Sequence, residues 1–213
     1  MSAPTKLVLW RHGVTDWNER GIFQGQTDIP LNERGLQQAA SAAKYLCGMS
    51  PTAIYCSPML RARQTAAALS ELTDLEPFID GRLAEINVGT WTGKTMADAA
   101  GDNPEVMAAV RAGLDYRRSP TGETMEEVRQ RAGACLREVT QAHQGETVVV
   151  VSHGGAIRMG IASMLGWPHE VTVALGGMQN CAWSVLTRRG ERWRLETYGC
   201  AWATGRPSEH TEI

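Results

Sequence analysis

Short continuous apolar runs alternate along this chain with longer stretches in which apolar residues recur every three or four positions. Leu7-Val8-Leu9-Trp10 is too short for a helix and is closed by charge at Arg11, which predicts a strand over Lys6–Trp10 buried on both faces. Ala53-Ile54-Tyr55-Cys56 and Thr147-Val148-Val149-Val150-Val151 read the same way. Between them the period changes. Asn32-Glu33-Arg34-Gly35 opens a helix to about Leu46, with Ala39, Ala40, Ala43 and Leu46 at helical spacing. Ser57-Pro58 reads as a Ser cap with Pro in the first turn of a helix that turns Leu60, Ala67, Ala68 and Leu72 to the core. Glu123-Thr124 begins a helix to about His143, carrying Val128, Ala132, Cys135, Leu136 and Val139 on one face. Another helix is expected over about Ala156–Leu165. Ala182–Leu186 and Trp193–Tyr198 flank Arg189-Gly190-Glu191 as a terminal antiparallel hairpin.

Strands alternating with helices predict an α/β fold: a three-layer α/β/α sandwich with a mostly parallel sheet. Residues 94–122 are interrupted by Gly101, Pro104, Gly113, Pro120 and Gly122. They read as a lid-like excursion within one domain spanning 1–213, a length that suits a single domain.

Composition narrows the class. The chain has 43% hydrophobic and 21% charged residues, enough for a packed core, and a formal net charge of −2. That balance argues against nonspecific binding to nucleic acid or to a membrane surface. The first residues carry no apolar signal core, and no apolar run is long enough to span a bilayer. The five cysteines include no Cys-x-x-Cys pair, so reduced thiols in a cytoplasmic protein are expected, and zinc is not.

The candidate chemistry lies at the strand ends. Arg11-His12-Gly13 follows the first strand, and Ser152-His153-Gly154-Gly155 follows the valine run. In open α/β sheets ligands bind outside the C-terminal ends of the strands. The helix after the second strand carries Arg61 in its first turn, facing the same edge, and its N-terminus would offer N–H groups to an anion. Any one of these residues alone reads most simply as structural or solvated. Two arginines and two histidines at one edge instead describe a site for phosphate, whose oxygens match guanidinium bidentately.

Arg11-His12-Gly13-x-Thr15-x-x-Asn18 resembles the signature of the histidine phosphatase, or phosphoglycerate mutase-like, superfamily. Further matches cover most of the chain: Phe23-Gln24-Gly25-Gln26-Thr27-Asp28, Ser57-Pro58-x-x-Arg61-Ala62, Leu83-x-Glu85 with Gly89-x-Trp91-x-Gly93, Gly122-Glu123-Thr124, and Ser152-His153-Gly154-Gly155. The resemblance implies that His12 forms a phosphohistidine and that Arg11, Arg61 and His153 surround the transferring phosphoryl group. It implies that Glu85 serves as general acid and then base. Asn18 and Gln24, with Thr15 and Gly25, would complete the substrate-binding set. Neither a metal nor another cofactor is implied. The partner expected is a small phosphate ester, with a homodimer left open.

The continuation Glu85-Ile-Asn-Val-Gly-x-Trp-x-Gly, followed by a short excursion, resembles the phosphatase branch more than the mutases. Leu175–Asn180 with Trp183, and Arg192-Trp193-Arg194-Leu195, resemble phosphatases of glucosyl-3-phosphoglycerate, which puts that ester or a related sugar or glycerate phosphate forward as substrate. A cofactor-dependent phosphoglycerate mutase and a catalytically silent phospho-ligand module are the alternatives. A binder has no need of the acid at Glu85. Arg111, Arg117 and Arg118 stand as candidates for a carboxylate of the substrate or as a solvated basic face, and Trp17 and Phe23 as packing for the alcohol or as wall. Gly89-Thr-Trp-Thr-Gly93-Lys94-Thr95 is one residue short of a P-loop and lacks a preceding strand.

Overall fold

The structure, a computed structural model, describes residues 3–101 and 104–201. Both ends of the expected 1–213 span and residues 102–103 of the excursion lie outside the described residues. Six strands form one sheet: β1 (Thr5–Arg11), β2 (Ala53–Cys56), β3 (Pro77–Ile79), β4 (Thr147–Ser152), β5 (Trp183–Arg189) and β6 (Arg192–Cys200). Their order is β3-β2-β4-β1-β5-β6. The β3-β2-β4-β1 block is parallel, and the β5-β6 hairpin joins β1 antiparallel.

Alternate residues of the central strands face opposite layers. Val8, Trp10, Ile54, Cys56, Val149 and Val151 pack against α2 (Glu33–Cys47) and α3 (Leu60–Thr73). Leu7, Leu9, Ala53, Val148 and Val150 pack against α6 (Met125–Ala142) and α7 (Gly154–Leu165). The β1 and β4 positions are fully buried or nearly so. At about 1.5–3 kcal/mol for each large apolar side chain taken out of water, this core is strong enough to hold polar groups at its edge. The sheet and both helical layers match the sequence reading.

Several local expectations change. The excursion is not irregular: it contains α4 (Met96–Ala100) and α5 (Pro104–Arg111). Trp91, Ala99 and Val106 belong to a third apolar cluster with Met125, Val128, Ala156 and Met159 of α6 and α7. The loop after β1 contains a one-turn helix, α1 (Asp16–Glu19), and α8 (His169–Thr172) follows α7. In α2, Ala40 is exposed, while Asn32 caps the helix through Gly35 N. In α3, Ala67 and Leu72 face solvent, and Arg61, Ala62, Thr65, Ala66 and Leu69 are buried instead. The buried stripe therefore runs through the polar Arg61 and Thr65, which hydropathy alone assigns outward.

Ser57 does not cap α3. The N-cap is Met59, without a side-chain bond, and Leu60 N donates to Asp28 Oδ1 at 2.8 Å. That N-terminus is consequently closed by Asp28 rather than offered to an anion. Gly13 is required for close approach rather than for a turn: a Cβ there would lie 2.5 Å from Gly35 O.

Candidate active site

Strand register builds the pocket. Arg11 pairs with Ser152 across β1 and β4, and His12 N donates to Ser152 O at 3.0 Å. The next residue on each strand is a histidine, so His12 and His153 stand side by side with ring centroids 5.1 Å apart. β1 and β4 end side by side in the parallel block, and the C-terminal ends of such strands are where open α/β sheets bind ligands.

Each imidazole is oriented by one bond. His12 Nδ1 lies 2.7 Å from Gly13 O. A carbonyl only accepts, so Nδ1 carries the proton and the Nε2 lone pair is left for chemistry. His153 Nε2 lies 2.7 Å from Ser57 Oγ, which also accepts from Met59 N at 3.4 Å. A serine hydroxyl that donates to Nε2 leaves the His153 proton on Nδ1. That Nδ1 is buried and has no partner among the described residues. His12 is 2% exposed and His153 0%. Burial first, then Arg61 and Arg11, holds His12 well below the usual imidazole range, which keeps it neutral. The same causes, with His12 itself after Arg61, hold His153 down.

Arg61 is 1% exposed and is aimed by two carbonyls, Thr27 O at 2.8 Å and Gly25 O at 2.7 Å. Burial lowers its pKa to about 10, against the opposing effects of Glu85 and Asp28, so it remains a cation at neutral pH. Arg11 donates through Nη1 to Met178 O. Its Nε and that of Arg61 are closed to solvent, without an acceptor among the described residues. Two guanidinium groups whose buried Nε atoms have no acceptor among the described residues stand with two neutral imidazoles, an arrangement suited to an anion.

Glu85 sits across the N-terminus of α7. Its carboxylate accepts from Ile86 N at 2.8 Å, Ala156 N at 3.2 Å and Gly155 N at 3.2 Å. A Cβ at Gly155 would lie 2.7 Å from Glu85 Oε1, so glycine is needed for the acid to approach. The Glu85 backbone is held as well: Arg131 Nη2 and Gln26 Nε2 both donate to Glu85 O at 3.0 Å. Arg131 grips Ala84 O and Arg82 O too, while a bidentate pair with Glu123 at 2.9 Å fixes its guanidinium.

The expected substrate-binding set divides. Asn18 Oδ1 accepts from Thr15 N, Thr15 Oγ1 and Asn180 Nδ2, which fixes the amide and leaves Asn18 Nδ2 as the unused donor. Thr15 is fully buried, and its hydroxyl closes a capping box on α1. Its hydroxyl is thus engaged with Asn18. Gly25 acts through its carbonyl on Arg61, with φ +50°. Gln24 is 7% exposed, and its Oε1 is buried without a partner among the described residues.

Sequence reasoning missed Ser57, Asn180 and Arg131 as supports of the site. The Ser-Pro dipeptide was the available signal for Ser57, taken as a helix cap. Asn180 and Arg131 act over sequence separations of 162 and 46 residues, and nothing local announces them. On the other side, Phe23 packs on Trp91 at 5.7 Å, Lys94 is exposed, and Arg117 pairs with Glu127. Among the described residues no helix is long and apolar enough to cross a membrane, and all five cysteines are free thiols.

Comparison with known proteins identifies the family. The glucosyl-3-phosphoglycerate phosphatase of Mycobacterium tuberculosis is 34% identical over 92% of this chain and 95% of its own length. A metal-independent phosphoserine phosphatase of Arabidopsis thaliana is 32% identical over 92% of this chain and 82% of its own. The solved structure of mycobacterial glucosyl-3-phosphoglycerate phosphatase with VO3 superposes with a TM-score of 0.84 at 36% identity, covering 92% of this chain and 99% of that one. Residues 7–201, nearly all that the structure describes, match one family description, and the chain belongs to the histidine phosphatase superfamily, branch 1.

Proposed function

We propose that this phosphatase hydrolyses a small phosphate monoester through a phosphohistidine at His12. The observation that supports it most is the pairing of a neutral His12, with its Nε2 lone pair available, and two arginines whose buried Nε groups have no partner among the described residues.

In this reading the dianionic phosphoryl group settles between Arg11, Arg61, His153 Nδ1 and Asn18 Nδ2. Positioning and charge stabilisation supply most of the catalysis in phosphoryl transfer. The His12 Nε2 lone pair forms a bond to phosphorus as the P–O bond to the alcohol breaks. The electrons of that bond go to the leaving oxygen, which takes a proton from Glu85. Glu85, now a carboxylate, removes a proton from water as its oxygen attacks the phosphohistidine, releasing inorganic phosphate and restoring His12. No step routes through a metal.

The substrate class follows from the relatives. Esters related to glucosyl-3-phosphoglycerate and phosphoserine are the first to try, with residues 94–122 as the lid over the alcohol and the cytoplasm as the place of action. Hydrolysis of p-nitrophenyl phosphate in the presence of a chelator tests the reading. The wild-type chain is expected to turn it over, and His12→Ala to lose at least about 10⁴-fold in kcat, as removal of a nucleophile does. Undiminished turnover in His12→Ala would overturn the mechanism.

A further inference from the structure

Arg11 and Arg61 share an unusual signature with one other side chain, Arg158. In all three the Nε is closed to solvent and has no acceptor among the described residues. None of the three lies within ion-pair distance of a carboxylate among the described residues. Arg129 also has an unpartnered Nε, but it is paired with Glu126. Buried donors without acceptors are costly to keep. For Arg11 and Arg61 the phosphoryl group explains them. Nothing in the site described so far explains Arg158.

The fold places Arg158 beside that site. A Cβ at Gly154, the first residue of α7, would lie 3.5 Å from the Arg11 guanidinium. Arg158 is four residues later, hence on the same face of the helix and about 6 Å along its axis. Long helical side chains lean back toward the N-terminus, here toward Gly154 and the pocket. Arg158 Nη1 reaches Leu175 O at 3.4 Å. Leu175 begins the segment whose Gly176 O accepts from the Tyr198 hydroxyl at 2.6 Å and whose Met178 O accepts from Arg11. Both Arg158 and Arg11 lie within electrostatic reach of Tyr198. The other arginines of this side are neutralised: Arg117 by Glu127, Arg118 by Asp115 and Arg131 by Glu123.

Resting on the phosphatase reading, we propose that Arg158 binds a second anionic group of the substrate, the carboxylate of a phosphorylated hydroxy or amino acid. A carboxylate suits the site better than a second phosphate. One guanidinium with one Nη already engaged has a flat pair of donors left, which matches a planar monoanion. A second dianion would face a single cation, where the phosphoryl pocket supplies two with two imidazoles. The separation of about one helical turn from the Arg11 side suits a carboxylate a few bonds from the phosphorylated oxygen.

Steady-state kinetics on 3-phosphoglycerate, glycerol 3-phosphate and p-nitrophenyl phosphate test this with Arg158→Met and Arg158→Lys. The wild type should favour 3-phosphoglycerate over glycerol 3-phosphate. Arg158→Met should raise KM for 3-phosphoglycerate roughly 10- to 100-fold, the scale of a lost charge-assisted hydrogen bond, and leave p-nitrophenyl phosphate within about twofold. Arg158→Lys should recover part of the loss. An equal loss on all three esters, no loss on any, or no wild-type preference for the carboxylated ester would each overturn the subsite. Calorimetric titration of 3-phosphoglycerate and glycerol 3-phosphate into His12→Ala, with and without Arg158→Met, reads the same subsite without turnover. Absence of any hydrolysis by the wild type would sink the phosphatase reading. The subsite would then stand or fall on those titrations alone.

Discussion

On the phosphate side of the pocket, His12, His153 and Arg61 are at most 2% exposed and stand at the ends of strands paired in register or in the helical turn beside them. On the alcohol side the groups come from α7, from the segment 175–178 with its exposed Gly176 and Gly177, and from the excursion. The first region is over-determined. Each donor there is aimed by a carbonyl, a hydroxyl or a register partner, so its geometry exists before substrate arrives. The second is held by fewer bonds, and most of its charges already have partners. The proposed reaction suits this division: rigid where charge develops, replaceable where identity is read.

The division can be stressed first at Glu85, where the two regions meet. Glu85→Gln keeps the size but removes the proton and the base. On an alkyl phosphate, whose leaving oxygen needs that proton, kcat should fall about 10²–10⁴-fold. With p-nitrophenyl phosphate the first step should fall much less, so rapid mixing should show a burst of p-nitrophenol equal to the enzyme, followed by slow release of phosphate. Equal loss on both esters with no burst would show that Glu85 holds structure only.

Ser57→Ala probes the rigid side alone. Without the hydroxyl, His153 Nε2 is left buried and unpaired, a defect of about 1–3 kcal/mol, and the imidazole is free to take the other tautomer. We expect kcat to fall between about 5- and 150-fold on every ester, at about 1.4 kcal/mol per decade. Ser57→Thr should restore most of it. Nitrogen chemical shifts of His153 should report the Nδ1–H form in the wild type and a mixture in Ser57→Ala. An unchanged imidazole spectrum would remove Ser57 from the mechanism.

Acid should expose the same rigidity as a weakness. His12 and His153 are both held well below the ordinary value of 6.5. The unfolded chain therefore binds protons near that pH that the folded chain refuses. The stability they share is fully present above about pH 6.5 and is lost as pH falls toward the folded-state values, at up to about 1.4 kcal/mol per pH unit for each. Urea titrations at pH 7.5, 6 and 5 should show this decline. His153→Ala should roughly halve the slope, and a slope unaltered by that substitution would mean that the pair does not titrate this way.

The two regions also differed in how far the sequence disclosed them. β1 and β4 were legible because a strand buried on both faces writes itself as a continuous apolar run, and the register that makes His12 and His153 neighbours follows from two runs ending alike. Arg61 was found through its place after β2, although it lies on a face that hydropathy alone would call polar. The supports were not legible. Ser57 before Pro58 gives the same signal whether the hydroxyl caps a helix or turns to His153. The capping box that engages the Thr15 hydroxyl depends on Asn18 turning its carbonyl toward it. Arg131 reaches the Glu85 carbonyl while Glu123, just ahead of α6 and eight residues away, fixes its guanidinium. These are choices of partner, and a single sequence does not record partners that lie far apart along the chain.

Arg117 gives the smallest effect and separates the cations of the alcohol side from one another. By residue type it is a candidate for a substrate carboxylate, and the sequence offers it beside Arg118. In the fold its Nη2 meets Glu127 Oε1 at 2.7 Å, and its Nη1 donates to Gly122 O at 2.6 Å and to Glu127 Oε2 at 3.0 Å. A guanidinium used on three acceptors at the start of α6 has little left for a ligand, and its exposure weakens the pair it does make. Arg117→Ala should therefore change kcat/KM by less than about twofold on carboxylated and plain esters alike, because an exposed ion pair contributes little. A selective rise in KM for 3-phosphoglycerate in that variant would move the carboxylate from α7 to the excursion. The side of the pocket read here as replaceable would then close over its substrate as a lid with a charge of its own.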